Sequence, residues 1–188
     1  MISVVDATPD RWPAVEQVMG TRGDPSRCWC QFFRLPGAGW SRATAPAMRE
    51  ALHEQVAGRT PPGVLAFSGD EAVGWCAAGP RWSYPRLGRA RVAQASDDAP
   101  DLWAVTCFVV RVGHRRQGVA EPLLDGAVDL ARRHGARIVE AYPVDVSERA
   151  VTAASLYHGP LQVFLRAGFT EVARPVPGRA VVRLEVGH

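Results

Sequence analysis

Residues 102–137 read LWAVTCFVVRVGHRRQGVAEPLLDGAVDLARRHGAR, and the order of patterns within them decides the fold. Leu102 to Val110 contains neither proline nor glycine and carries Val105, Thr106, Phe108, Val109 and Val110, so it reads as a central strand covered on both faces. Past the turn, Val119, Leu123, Leu124, Ala127, Val128, Leu130 and Ala131 recur at helical spacing, with Glu121, Asp125, Asp129, Arg132 and Arg133 mostly opposite them. His134-Gly135 ends this amphipathic helix. Pro122 is compatible with its first turn, where the amides have no intrahelical partners. Arg115 to Ala120 (RRQGVA) therefore present several free N–H groups at the positive end of a helix dipole, and Gly118 lets a ligand approach the main chain. A pyrophosphate fits there.

Other phosphate loops fit less well. The NTPase loop needs Lys and then Ser or Thr after its second glycine, whereas Val119 and Ala120 follow Gly118, and a dinucleotide fingerprint needs three spaced glycines. An ordinary turn with solvated arginines is the remaining alternative. Val109-Val110-Arg111-Val112-Gly113-His114-Arg115-Arg116-Gln117-Gly118-Val119-Ala120 resembles the acetyl-CoA-binding motif of the GCN5-related N-acetyltransferases. That motif is Arg or Gln, two residues, Gly, one residue, then Gly or Ala, supplied here by Arg115, Gly118 and Ala120. Phe164-Leu165-Arg166-Ala167-Gly168-Phe169 is similar to the family's helix ending, an aromatic residue followed by Gly-Phe. The two motifs span roughly the C-terminal half of the chain.

The resemblance implies the α/β (α+β) acyl-CoA N-acyltransferase fold: a mixed, mostly antiparallel sheet with helices on both faces, split between two central parallel strands to admit acetyl-CoA. It also implies direct acetyl transfer to a primary amine of a small-molecule or amino-acid-like acceptor. A CoA-binding regulatory module without catalysis is the alternative.

Composition sets the bounds. With 188 residues, 47% hydrophobic and 22% charged, the chain has ordinary globular makeup, and residues 1–188 are expected to form one domain. A formal charge of +3 is too small to argue for nucleic acid. No apolar run approaches the roughly 20 residues that cross a bilayer, and the N-terminus lacks the basic-then-apolar order of a secretory signal, so no membrane partner and a cytoplasmic location are expected. Cys28, Cys30, Cys76 and Cys107 are scattered and read as reduced thiols. A homodimer stays open.

Working outward, Met1 to Ala7 reads as a strand, and Thr8-Pro9-Asp10 opens a helix to about Met19 with Trp12, Val15 and Val18 inward. Gly20 to Gly39 is loop-rich and holds Cys28-Trp29-Cys30-Gln31-Phe32-Phe33. Ser41 to about Ala57 reads as one helix with Ala47, Ala51 and Val56 inward. Val64 to Ser68 and Ala72 to Ala78 form a hairpin over Gly69-Asp70-Glu71. Gly79 to Ala99, rich in Pro and Arg, reads as an active-site flank. Ile138 to Tyr142 is a strand reached by the helical crossover and therefore parallel. Ser147 to Gly159 is irregular, a helix from Pro160 runs to about Ala167, and Phe169 to Arg174 and Arg179 to Val186 are closing strands.

Transfer from a thioester to an amine needs a held donor, a polarised carbonyl, a deprotonated amine and a stabilised thiolate. By the resemblance, the main chain at Phe108, Val109 or Val110 binds the thioester carbonyl, and Arg115, Arg116, Gln117, Gly118, Val119 and Ala120 hold the pyrophosphate. Glu140, in the second strand, is the candidate base, with Asp145 behind it and simple pairing with Arg111 or Arg137 as the alternative. Family members commonly place an acidic tyrosine where this chain has Phe164, which cannot donate a proton and remains only a cofactor contact. Tyr157, seven residues earlier, is the displaced acid or an arm contact, with His158 beside it, unless both merely shape the loop. Tyr142 is a second choice. Trp29, Gln31, Phe32 and Trp82, with Arg81, are expected to wall the acceptor pocket. Cys28 and Cys30 are spaced wrongly for a zinc knuckle, so no metal is expected. Cys107 reads as an inert strand thiol.

Overall fold

The computed structural model describes residues 1–93, 99–148 and 155–187. Residues 94–98, at the end of the expected flank, and 149–154, in the expected irregular segment, lie outside them. Seven strands form one sheet: β1 (Ile2–Asp6), β2 (Gly63–Ser68), β3 (Glu71–Pro80), β4 (Leu102–Val110), β5 (Ile138–Ala141), β6 (Thr170–Val176) and β7 (Arg179–Glu185). Their order is β1-β2-β3-β4-β5-β7-β6. Only β4 and β5 run parallel; every other neighbouring pair is antiparallel. The expected mixed sheet is therefore the one observed.

Helices cover both faces. On the first lie α1 (Trp12–Met19), preceded by a 3-10 turn at Pro9–Arg11, and α4 (Ala45–Val56). They bury Trp12, Val15, Val18, Met48, Leu52 and Val56 against Leu65, Trp75 and Val109 of the sheet. On the second face α5 (Ala120–Arg133) and α6 (Leu161–Arg166) bury Leu123, Leu124, Ala127, Leu130 and Phe164 against Val64, Cys76, Val105 and Phe108. The amphipathic pattern of α5 thus faces as its sequence requires. Gly126 lets α5 lie close to the sheet, since a Cβ there would stand 2.4 Å from Val4 Cγ1.

The expected helix over residues 41–57 is two helices. α2 (Pro25–Cys28) and α3 (Gly37–Arg42) are short, and the chain is extended at Ala43 and Thr44 before α4 begins. Thr44 caps α4 by accepting from the Ala47 amide at 3.4 Å, and Pro46 occupies its first turn, so helix starts here and does not pass through. The inward face shifts accordingly: Met48, Leu52 and Val56 are buried, Ala51 is half-buried and Ala47 is exposed.

Two features of β4 prepare the site. Ala77 pairs with Cys107 and Ala78 with Val105, so Thr106 is an extra, bulged residue. The bulge resets the alternation and puts Trp103, Val105 and Phe108 all in the core beneath α5 and α6. The parallel pairing with β5 also ends there, at Val105 opposite Ala141. From Cys107 to Val110 no strand among the described residues lies on the β5 side of β4, and the sheet is split.

Candidate active site

The turn after β4 passes through a 3-10 turn at Val112–His114 and then through two left-handed residues, Arg116 (φ 60°) and Gly118 (φ 76°), into α5. Gln117 donates its side-chain amide to the Gly113 oxygen at 2.9 Å, and Arg115 Nε donates to the Val110 oxygen at 3.0 Å, so the loop is braced from within. The main-chain N–H groups of Gln117, Gly118, Val119, Ala120 and Glu121 find no acceptor among the described residues. Nothing lies within 4 Å of where a Cβ of Gly118 would be. Of the residues bearing these amides, Gly118, Val119, Ala120 and Glu121 line a cleft of about 580 Å³, with Phe108, Val110, Arg115 and Arg116 on the same side and Tyr157, Pro160 and Val163 on the other. Unpaired amides, two arginines and a helix N-terminus together make a surface suited to an anion.

A second cavity, about 750 Å³ and mainly apolar, lies on the other face of β4. Phe32, Phe33, Trp40, Met48, Cys107 and Val109 line it, with Thr106, Tyr157 and His158 at the strand end. Asp24 is the one carboxylate among its described lining residues. Tyr157 borders both this cavity and the loop cleft, and also a third hollow between the end of α1 and the end of β4. Burial raises the Tyr157 hydroxyl above its ordinary value near 10, and the Asp24 charge adds to the effect. His158 Nδ1 lies 3.2 Å from the Thr106 oxygen. Burial, then the Arg179 charge, pushes this imidazole down to about 4.

Other expected site residues lie elsewhere. Glu140 is fully buried on the opposite side of β5 from the loop helix, 2.8 Å from Arg183 Nε and 3.8 Å from Arg81 Nε, and accepts from the Tyr142 hydroxyl at 2.5 Å. It lines none of the cavities described here, so neither it nor Tyr142 is placed to exchange protons with a substrate. Its charge is held by arginines, though not the Arg111 or Arg137 that the sequence offered. Asp145 is bound to Ser147 and to Arg174, which hold its carboxyl below the usual range. Phe164 is fully buried and packs edge-on to Phe108 and Phe169, so it backs the cleft without lining it.

The expected acceptor wall is partly corrected. Phe32 lines the apolar cavity. Trp29 is buried against Trp12, its indole donating to the Ser26 oxygen at 2.8 Å. Gln31 is buried and exchanges side-chain hydrogen bonds with Gln55 at 2.8 and 3.2 Å. Trp82 is 69% exposed and Arg81 is buried beside Glu140. Phe33, Trp40 and Met48 line the apolar cavity beside Phe32, whereas Trp29, Gln31 and Trp82 do not. Cys28 and Cys30 line the cavity, and burial drives Cys28 up to about 12 and holds Cys76 far above the ordinary thiol value. The Cys107 thiol, by hydrogen bonding, does the same for Cys30. No cluster of three or more metal-ligating side chains occurs among the described residues.

Solved structures share this architecture. The GNAT domain of S. lividans PAT superposes with a TM-score of 0.58 at 19% identity, over 97% of this chain and 89% of that one. A GCN5-related N-acetyltransferase from Kribbella flavida gives 0.57 at 16% identity over 98% of each chain. Salmonella typhimurium yncA, in a structure holding its cofactor acetyl-CoA, gives 0.58 at 15% identity over 99% and 94%. At these identities the likeness is one of fold, that of the N-acetyltransferases. The description of the Acetyltransferase (GNAT) family matches residues 27–158, most of the chain and both sides of the split sheet, and the protein belongs to that family. No curated protein matches it in sequence.

Proposed function

We propose that the protein transfers an acetyl group directly from acetyl-CoA to a primary amine of a small molecule. The observation that carries this reading is the position of Tyr157, whose residue borders both the amide-lined cleft and the apolar cavity. A donor in the first and an acceptor in the second meet beside it. The free amides at residues 117–121 and the guanidinium groups of Arg115 and Arg116 fit a pyrophosphate, and the open edge of β4 beyond Val105 fits an extended arm that pairs with main chain. Acetyl-CoA bound there supplies the acetyl thioester.

The chain's own residues provide positioning and one proton. The Tyr157 hydroxyl, protonated throughout the neutral range, is the donor to the departing thiolate. It supplies what Phe164 cannot. His158, neutral down to about 4, is a weak proton acceptor, and Asp24 is the carboxylate that draws in the ammonium form of the acceptor. The amine therefore loses its proton to water before attack, the second proton it sheds on acylation also passes to water, and Tyr157, having protonated the thiolate, is reprotonated from solvent. Cys28, Cys30 and Cys76 are all held protonated and are not activated for a covalent acetyl-enzyme.

No helix of the described residues is long and apolar enough to cross a membrane. Four free cysteines favour a reducing compartment, as in the cytoplasm. The test is release of free CoA from acetyl-CoA over a panel of primary amines, with product mass as a second readout. Acetylated amine with one CoA released per product is expected. Acetyl-CoA binding by calorimetry with no acceptor ever acetylated would replace the enzyme with a CoA-binding regulatory module.

A further inference from the structure

A cavity of about 730 Å³ adjoins the apolar one and is lined by Arg86, Arg89, Arg91 and Arg179, with no carboxylate among its described lining residues. It shares Phe32, Phe33 and His158 with the apolar cavity and shares no lining residue with the loop cleft. These arginines are therefore not explained by the pyrophosphate. We propose that they bind an anionic group on the acceptor, so that the substrate is an amine carrying a carboxylate or similar oxyanion at its far end. This rests on the acetyl-transfer reading above.

The local construction supports a built site over a solvated surface. Arg89 and Arg91 stand on consecutive 3-10 turns, Leu87–Arg89 and Arg91–Ala93, which bury Leu87 and Ala93 in a core cluster with Phe33 and Tyr84. The exposed guanidinium groups thus project from anchored turns. Arg86 lies over the Phe32 ring at 4.0 Å and donates to the Phe32 oxygen at 3.3 Å, so its charge is fixed at the boundary of the two cavities. Arg179 donates to the Tyr142 oxygen at 3.0 Å, and its charge is felt at His158. Arg86, Arg89 and Arg91 are like charges around one cavity, and an oxyanion among them offsets their mutual repulsion with charge-assisted hydrogen bonds.

The arrangement also sets the shape of the ligand. Tyr157 borders the apolar cavity but not the arginine cavity, whereas His158 borders both. The amine end at Tyr157 and the anionic end thus lie in different cavities, which meet at Phe32, Phe33 and His158. An apolar spacer between amine and anion fits the aromatic wall, and an α-amino acid, with its two groups adjacent, fits less well.

Matched pairs of amines test this: ε-aminocaproate against hexylamine, and para-aminomethylbenzoate against benzylamine. In the wild-type protein the carboxylate member of each pair is expected to have a kcat/KM higher by about tenfold or more. In Arg89→Ala/Arg91→Ala, where both changes are at exposed positions, the ratio is expected to fall toward one. A neutral amine equal to or better than its carboxylate partner, or a ratio unmoved by the double substitution, overturns the proposal. Calorimetry with para-toluate, which has no amine, reads the anion site independently of transfer. If para-toluate binds in an arginine-dependent way while no amine is acetylated, the transfer reading fails and the anion site stands. If amines are acetylated without carboxylate preference, the reverse holds.

Discussion

The imidazole of His158 donates from Nδ1 to the main-chain oxygen of Thr106, 3.2 Å away, at the point where β4 bulges and parts from β5. A carbonyl oxygen only accepts, so this contact assigns the proton to Nδ1 and leaves Nε2 as a lone pair. It ties the segment before α6 to the edge of the split and so holds Tyr157, one residue earlier, beside both cavities.

The burial of His158, reinforced by the Arg179 charge and only partly opposed by this hydrogen bond, predicts a pH-dependent stability. His158 is pushed down to about 4, while an unfolded histidine titrates near 6.5. Between those values the unfolded chain binds more protons at this position, so stability is complete above the upper value and is lost as pH falls toward the lower. The full effect is roughly 3 kcal/mol. His158→Asn keeps a donor and removes the titration. Its Tm is expected to fall less than that of the wild type between about pH 7 and pH 4.5; parallel melting curves in the two proteins would refute the assignment.

Gly118→Glu addresses the cradle. The side chain would enter the space now open beside the free amides and place a carboxylate where a phosphate is expected. The left-handed φ of 76° adds about 1 kcal/mol of backbone strain, which a folded domain of this size tolerates. Affinity for acetyl-CoA is expected to fall more than about tenfold by calorimetry, with the circular dichroism spectrum retained. Undiminished binding in the folded variant would rule out this loop as the phosphate site.

Tyr157→Phe removes the hydroxyl and keeps the ring. Loss of a positioned proton donor lowers kcat by roughly a hundredfold, and acetyl-CoA affinity is expected to change little because the amide cradle is untouched. A drop in affinity with kcat intact would make Tyr157 an arm contact only. The separation of kcat from binding decides between the two roles the sequence left open.

Glu140→Gln tests stability. Its carboxylate sits fully buried between Arg81 and Arg183 and beside Tyr142, so neutralising it breaks a buried charge network. A loss of about 3–5 kcal/mol is expected in urea unfolding, with kcat/KM per folded molecule close to wild type. A stable variant with its turnover abolished would return Glu140 to the mechanism.

Much of the fold was legible because period and punctuation agree. The strand from Leu102, the turn at Gly118 and the helix to Arg133 stand where the apolar pattern puts them. The cavity walls were less legible because they depend on backbone turns that composition does not show. Trp29 (φ 43°) and Cys30 (φ 55°) are successive left-handed residues, and the sharp bend they make sends Trp29 into the core while Phe32 reaches the cavity. Glu140 looked like a base because a strand carboxylate is half-way to burial. Which arginines reach it follows from the pairing of β5 with β7, opposite Arg183, a contact between distant residues. Trp40 and Met48 were hidden by reading one helix where Thr44 and Pro46 start a second.

The pH dependence of turnover follows from the proposed loss of the acceptor's proton to water, since His158 is the one imidazole among the described residues lining the apolar cavity and is a weak acceptor. With Glu140 and Asp145 engaged elsewhere and His158 neutral down to about 4, the reactive amine is drawn from the acceptor's own ionisation in water. kcat/KM is therefore expected to rise about tenfold per pH unit until the acceptor's own pKa is reached, and to shift with that pKa across a series of amines. Tyr157, raised above its ordinary value near 10, stays protonated through this rise, so any fall attributable to it comes only at still higher pH. Profiles that level off at one common pH near neutrality, whatever the amine, would require an enzyme base and would direct attention back to Asp24 or His158.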